Sequence, residues 1–311
     1  MNIAGHSRII TTVISTIAII VLSLNLSACV TNEEQGYPEN WEDIQPAAVP
    51  EIAALVPNEL AQRGTLVVAA FPPYAPFMFK NSRNEIIGME MDLSRAVAHV
   101  MGLEWQVKQL DFALILPALS AGTIDLGASG FTDTIERREN YDFIDFLYAG
   151  IQWGQRVDKP VDRNNPCGLS VAVQRTTVAE SDDVRPLSEQ CVKEGKKPIE
   201  ILSYATSDQA ATALVLGRAD AFASDSPVLA WAIERSDGAL ETSSEMFQAA
   251  PYGFAVPKNS PLGPAIAAAL QHLMDTGDYE RILNIWGVKE GHLDKGQVNG
   301  PLQPETETIA S

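Results

Sequence analysis

Between Arg63 and Trp286 short apolar runs of strand length alternate with amphipathic runs of helix length, and they do so in two successive series. Strands separated by helices form parallel βαβ units, whose sheets must be covered by helices on their faces. In the first series Leu66–Ala70 reads as a strand and Met91–Met101 as a helix stopped by Gly102. Trp105–Leu110 reads as a strand, Phe112–Ser120 as a helix, Ile124–Ala128 as a buried strand and Ile135–Tyr141 as a short helix. A connection near Ala149–Val157 leads into the second series. There Leu169–Val173, Ile199–Leu202 and Ala219–Ser224 read as strands, Thr177–Val184 as a helix start, and Ser207–Leu216 and Pro227–Arg235 as helices. Tyr252–Pro257 then reads as a strand returning to the first series, followed by helices Leu262–Thr276 and Asp278–Trp286. The expected fold is α/β with two lobes, each a mainly parallel sheet flanked by helices, and a cleft between them.

A chain of 311 residues can carry two such cores. Its formal net charge of −18 argues against a nucleic-acid partner or an anionic membrane surface. The amino terminus has a thin basic region, His6 and Arg8, then an apolar run from Ile9 to Leu26. It ends in Leu26-Ser27-Ala28-Cys29, which looks like a lipobox with Cys29 as the lipidated residue. A permanent membrane anchor is the competing reading, since the run is nearly long enough to span a bilayer. Residues 1–28 are thus read as a lipoprotein signal peptide and 29–58, acidic and without periodicity, as a flexible tether. Cys167 and Cys191, an even pair in an exported chain, are read as a disulfide, with two buried thiols as the alternative. His6, His99, His272 and His292 are scattered and no cysteine spacing suits zinc, so neither metal nor cofactor is expected.

The segment Gly130–Arg137 carries the chemistry. Thr134 is a plausible helix N-cap, and Arg137 falls three residues later, where a capping box favours Glu or Gln. A cation in the first turn faces the positive end of the helix dipole, so an anion is expected beside it. An arginine fork matches a carboxylate in a bidentate way. The bland alternative is a surface arginine paired with Glu136 or Glu139. Sites in open α/β sheets lie beyond the carboxyl ends of strands, and both Gly130–Arg137 and Asp225 directly follow strands. One lobe therefore offers a cation and the other an anion, the pattern expected of a receptor for a zwitterion.

Residues 60–288 resemble family 3 solute-binding proteins, the exported receptors of polar amino-acid ABC importers. The resemblance rests on Tyr74-Ala75-Pro76-Phe77, Gly88-Met89-Glu90-Met91-Asp92-Leu93, Leu116-Pro117-Ala118-Leu119 with Gly122-Thr123-Ile124-Asp125, and Gly130–Arg137 with Asp142-Phe143. It continues through Gln174-Arg175-Thr176-Thr177, Gly217-Arg218-Ala219-Asp220, Asp225-Ser226-Pro227 and Gly277-Asp278-Tyr279. The second lobe and Ala250-Pro251-Tyr252-Gly253 are most similar to lipoproteins of actinobacteria. The resemblance implies a type II binding-protein fold, with lobe 1 formed by 59–150 plus 256–290, lobe 2 by 151–255, and a polar tail at 291–311.

It also implies roles. Arg137 would hold a ligand carboxylate with the amide of Thr132 and with Thr177, while Asp225 and the Gly130 carbonyl would take the ammonium. Tyr74 and Phe112 would wall the site, plain core packing being the alternative for both; for Asp225 the alternative is a simple cap of the helix at Pro227. Phe71 stands where many cation-binding relatives have an acid, which shifts the expected ligand away from lysine, arginine or histidine. Arg175 replaces a usual glycine and could reach an acidic ligand side chain, which puts glutamate or aspartate slightly ahead of a neutral ligand. The expected protein is a monomeric, lipid-anchored, extracytoplasmic receptor that closes on an amino acid and delivers it to a permease. A dehydratase on the same scaffold, with Glu180 or Glu90 as its acid, and a sensory lipoprotein are the rival readings.

Overall fold

The structure is a computed structural model that describes residues 36–38, 40–288 and 291–302. The signal-peptide and lipobox readings, with Cys29, lie outside the described residues. From Tyr37 onward the chain forms one unit.

The chain enters through α1 (Pro50–Ala53) and α2 (Asn58–Arg63) into β1 (Thr65–Ala70), and a small hairpin follows, β2 (Phe79–Lys80) and β3 (Ile86–Ile87). Then come α3 (Met89–Val100), β4 (Glu104–Gln109), α4 (Phe112–Ser120), β5 (Leu126–Gly127) and α5 (Ile135–Arg138). A 16-residue strand, β6 (Tyr141–Arg156), carries the chain across to β7 (Ser170–Gln174), a π-helical segment Ala179–Val184, and α6 (Arg185–Lys193). After β8 (Glu200–Tyr204), α7 (Ser207–Val215), β9 (Ala221–Asp225), α8 (Ser226–Glu234) and β10 (Leu240–Thr242), β11 (Phe247–Pro257) crosses back. The chain ends in α9 (Gly263–Thr276), α10 (Asp278–Ile285) and β12 (His292–Val298).

Both βαβ series form as read. β1 pairs in parallel with β4 and β5, and β7 in parallel with β8 and β9. The two halves are continuous through β6 and β11, so the strand order is β4-β1-β5-β11-β6-β9-β7-β8. β6 runs antiparallel to both β11 and β9. Apolar packing shows the two lobes. One pair of clusters draws on Ile44 to Ala149 and Tyr252 to Val288, with Val228 reaching in; the other pair draws on Ile151 to Leu240 with Phe247 against it.

The connection near Ala149–Val157 is part of one long strand, β6, buried along nearly its whole length, and a run covered on both faces shows no alternation. Two expectations change. The second half of the supposed tether is docked. Ile44 and Val56 are buried in the lobe 1 core, and Trp41 donates from Nε1 to Asp92 at 2.9 Å, beside the bond from Trp286 Nε1 at 2.8 Å. Tyr37 stacks on Trp41 with ring centroids 3.8 Å apart. The supposed polar tail starts as β12, antiparallel to β6. Its register is held from outside the strand, since Leu293 N donates to the Tyr279 hydroxyl at 2.9 Å and Gly296 N to Gln271 Oε1 at 3.0 Å. In lobe 2, Cys167 and Cys191 form a disulfide that ties the approach to β7 onto α6.

Candidate functional site

The loop after β5 depends on one glycine. Gly130 has φ +60°, and a Cβ there would lie 2.6 Å from Tyr74 Cε1 and 3.3 Å from Tyr252 Cε2. Glycine alone tolerates both the conformation and the close rings. From the other side Gly130 N donates to Glu90 Oε2 at 2.8 Å. The next residues are stitched to β11: Gly253 N donates to Phe131 O at 3.0 Å and Asp133 N to Pro251 O at 2.8 Å. The loop is thereby fixed before α5 begins.

Thr134 caps α5 as expected, its hydroxyl accepting from Arg137 N at 3.2 Å. Arg137 does not pair with Glu136 or Glu139. Its Nη1 donates to the Thr132 carbonyl at 2.7 Å, its guanidinium carbon sits 5.7 Å from the Phe131 ring centroid, and it makes no salt bridge among the described residues. Burial pulls its pKa below the ordinary arginine value, with Asp225 pulling the other way. A desolvated guanidinium without a carboxylate is costly.

Asp225 closes β9 and occupies the N-cap position of α8, yet its side chain makes no capping bond. Instead the buried carboxylate accepts from the Tyr74 hydroxyl, which sits 3.0 Å from the Tyr252 hydroxyl. Burial raises the Asp225 pKa, and bonds from Tyr252 and Tyr74 together with the charge of Arg137 draw it back. The plain-cap alternative therefore fails for this residue, as does purely apolar packing for Tyr74.

Arg137, Thr132, Gly130, Asp225, Thr177, Tyr74, Phe112 and Phe71 all line one cavity. Ser129, Gln174 and Val178 complete its lining. Ser129 Oγ accepts from Phe71 N at 3.1 Å, Thr177 Oγ1 donates to Gln174 O at 2.8 Å, and Phe112 stacks on Phe131 at 4.9 Å. Tyr252 was not among the expected residues, although its phenol joins the Tyr74–Asp225 pair. A tyrosine inside an apolar strand carries no signal of a polar partner.

Arg175 does not offer a free cation. It pairs with Asp111, the residue that caps α4, at 3.2 Å across the cleft mouth. Neither acid of the dehydratase reading lines the cavity. Glu180 accepts from Thr176 N at 2.8 Å, Ser203 Oγ at 2.7 Å and Arg185 at 3.1 Å. Glu90 is fully buried, its Oε1 has no partner, and desolvation raises its pKa to about 8. Among the described residues no cluster of His, Cys, Asp and Glu could hold a metal ion, and no helix is long and apolar enough to cross a membrane.

The chain that builds this cavity, with a cation and an anion in its lining, has clear relatives. The chain is 62% identical over 289 residues to the arginine-binding protein ArgT of Corynebacterium glutamicum, covering 92% of this chain and 95% of that one. Among solved structures it resembles an ancestral arginine-binding protein bound to arginine, with TM-score 0.65, 30% identity, and 72% and 98% of the two chains covered. It also resembles a mutant of ArgBP from T. maritima, with TM-score 0.66, 27% identity, and 74% and 98% covered. The family model of bacterial extracellular solute-binding proteins, family 3, matches residues 66–289. This chain belongs to that family, with the α/β two-lobe type II fold.

Proposed function

We propose that the protein is an extracytoplasmic receptor that closes on L-arginine and delivers it to an ABC importer. The observation that carries this is the half-buried Arg137, which lacks a carboxylate and faces the same cavity as the buried Asp225. An α-carboxylate completes the first and an α-ammonium the second, so a molecule bearing both charges relieves two desolvation costs at once. Thr132, Thr177 and the Gly130 carbonyl surround these positions. Closure follows from bending of β6 and β11, the strands that join the lobes.

The side chain is assigned against the lean toward glutamate or aspartate and against the expectation that Phe71, in place of an acid, disfavours arginine. Arg175 is neutralised by Asp111, so it is not available to an acidic ligand. The cavity walls Phe71, Tyr74 and Phe112 are aromatic faces of the kind that attract a guanidinium. The 62% identical relative is an arginine-binding protein, which supports the same choice. Glu180 and Glu90, the acids weighed for a dehydratase, lie outside the cavity lining, and its one carboxyl, Asp225, is engaged by Tyr74, which supports binding over turnover. Lipidation at Cys29, a monomeric state, and lobe limits at 59–150 plus 256–290 and 151–255 complete the reading, with the docked segment 40–58 and strand β12 added to lobe 1.

Thermal-shift screening against the twenty common amino acids tests it. L-arginine is expected to give the largest rise in Tm, and Arg137→Ala and Asp225→Asn are each expected to weaken binding by about 100-fold or more, the usual cost of stranding one partner of a buried charge pair. A larger shift with glutamate, or full binding by Arg137→Ala, would sink the assignment.

A further inference from the structure

The match to the family stops at residue 289, but the described chain continues and returns to the back of the site. β12 and the two residues after it lie along β6, the strand that leads from α5 into the crossing. Asn299 grips two consecutive residues of β6: its Oδ1 accepts from Phe143 N at 3.0 Å, and its Nδ2 donates to Asp142 at 2.8 Å. Gly300 N donates to Asp145 Oδ2 at 2.9 Å, and Gly300 O accepts from Arg138 Nη2 at 2.6 Å.

Arg138 is the neighbour of Arg137. Its guanidinium forks onto the buried Asp133, with Nε 2.6 Å from Oδ1 and Nη2 bonded to Oδ2, and stands 4.0 Å from Asp145. Asp133 in turn follows Thr132, whose carbonyl holds Arg137. The loop and its short helix are therefore clamped twice: Thr132 with Arg137 toward the cavity, Asp133 with Arg138 away from it. α5 has four residues and an exposed face at Ile135 and Glu136, too little to hold an arginine by its own hydrogen bonds. The outer clamp supplies the missing constraint, and it closes on the terminal segment through Gly300. There is no room for a side chain at that point, because a Cβ on Gly300 would lie 2.8 Å from Asp145 Oδ2 and 2.7 Å from Gln297 Nε2.

From this geometry we propose that residues 292–300 are a positioning strap for ligand binding, setting the angle of Arg137 through Gly300, Arg138 and Asp133. The strap does not touch the ligand. It rests on the receptor reading above for its functional meaning, and on Arg138 for its connection to the site.

The test uses the full chain with Gly300→Ala, Arg138→Met and the double variant, and Lys295→Ala on the exposed side of the strap as control. L-arginine is the probe; if the wild-type chain ignores it, the common amino acid that gives the largest wild-type shift replaces it. The wild-type titration thus judges the ligand assignment and the variants judge the strap. Each single variant is expected to raise Kd about tenfold, the scale of one charge-assisted hydrogen bond, and the double variant to add little more, because both act on one connection. Lys295→Ala is expected to leave Kd unchanged. Hydrogen exchange at the amides of Arg137 and Arg138 is expected to speed up in Gly300→Ala, with or without ligand. A fall in Tm with unchanged Kd and unchanged exchange would make the segment a structural brace and overturn the proposal, as would additive effects in the double variant.

Discussion

Glu90 shows how a single acid can be placed against its own chemistry. It sits fully buried behind the Gly130 loop, accepts from Gly130 N and leaves Oε1 without a partner. Desolvation raises its pKa to about 8. The folded chain therefore keeps a proton that the unfolded chain releases above about pH 4.3, so this residue makes stability fall as pH rises from there to about 8 and adds nothing further beyond it. Each pH unit in that window corresponds to about 1.4 kcal/mol. Glu90→Gln, which keeps an acceptor for Gly130 and cannot ionise, is expected to melt like the native chain at pH 5 and several degrees higher at pH 8. A gap in Tm that stays constant between the two pH values would show that the carboxyl does not titrate in this window. At this scale Arg137 and Asp225 were legible in the sequence, because each follows a strand at a helix start, Arg137 with a charge that opposes the helix dipole and Asp225 on the other lobe with the complementary charge. Tyr252 and Arg138 were not. Their partners come from segments remote in sequence, and a tyrosine in a strand or an arginine on a helix turn is ordinary in isolation.

The helices and parallel strands of both series were readable because period and punctuation agree: amphipathic α3 ends before Gly102, and Pro227 begins α8 behind Asp225. The missed elements share a cause. β6 is buried on both faces and so lacks alternation, while β12 (HLDKGQV) is polar and takes its conformation from β6, Tyr279 and Gln271 rather than from its own residues. The docked stretch 40–58 reads as a tether by composition, yet Trp41, bonded to Asp92, and the buried Ile44 and Val56 hold it down. Within lobe 2 the disulfide closes a loop with a sequence separation of 24 between the approach to β7 and α6. Loop-closure entropy for that length is worth about 3 kcal/mol. Reduction is expected to lower Tm by about 5–10 °C, measured with and without reductant on the same sample. An unchanged Tm would mean that residual structure in the unfolded ensemble already confines this loop.

At the scale of the whole molecule, the lobes also meet outside the crossing strands. Tyr74 bonds Asp225, Arg175 pairs with Asp111, Phe79 packs on Trp231 with ring centroids 5.7 Å apart, and Val228 reaches into the lobe 1 core. The Arg175–Asp111 pair is half-exposed on both sides, so it is worth about 0.2–1 kcal/mol and is sensitive to salt. Arg175→Ala is expected to speed ligand release by about 1.5- to 5-fold at low ionic strength and by less at about 0.5 M salt, where screening is strong. Stopped-flow emission reads closure and opening, since Trp231 stands at the Phe79 contact between the lobes; an equal effect at both salt concentrations would point to lost packing rather than charge. The docking of both described flanking segments on lobe 1 has a mechanical consequence. Ile44 and Val56 fasten the chain before β1, and β12 with Gly300 fastens the chain after α10. Lobe 2 is joined to lobe 1 through β6 and β11. An assembly that holds the protein by those flanking segments makes lobe 1 the fixed jaw and lobe 2 the swinging one, so opening to release cargo moves the half that carries Asp225 and Thr177.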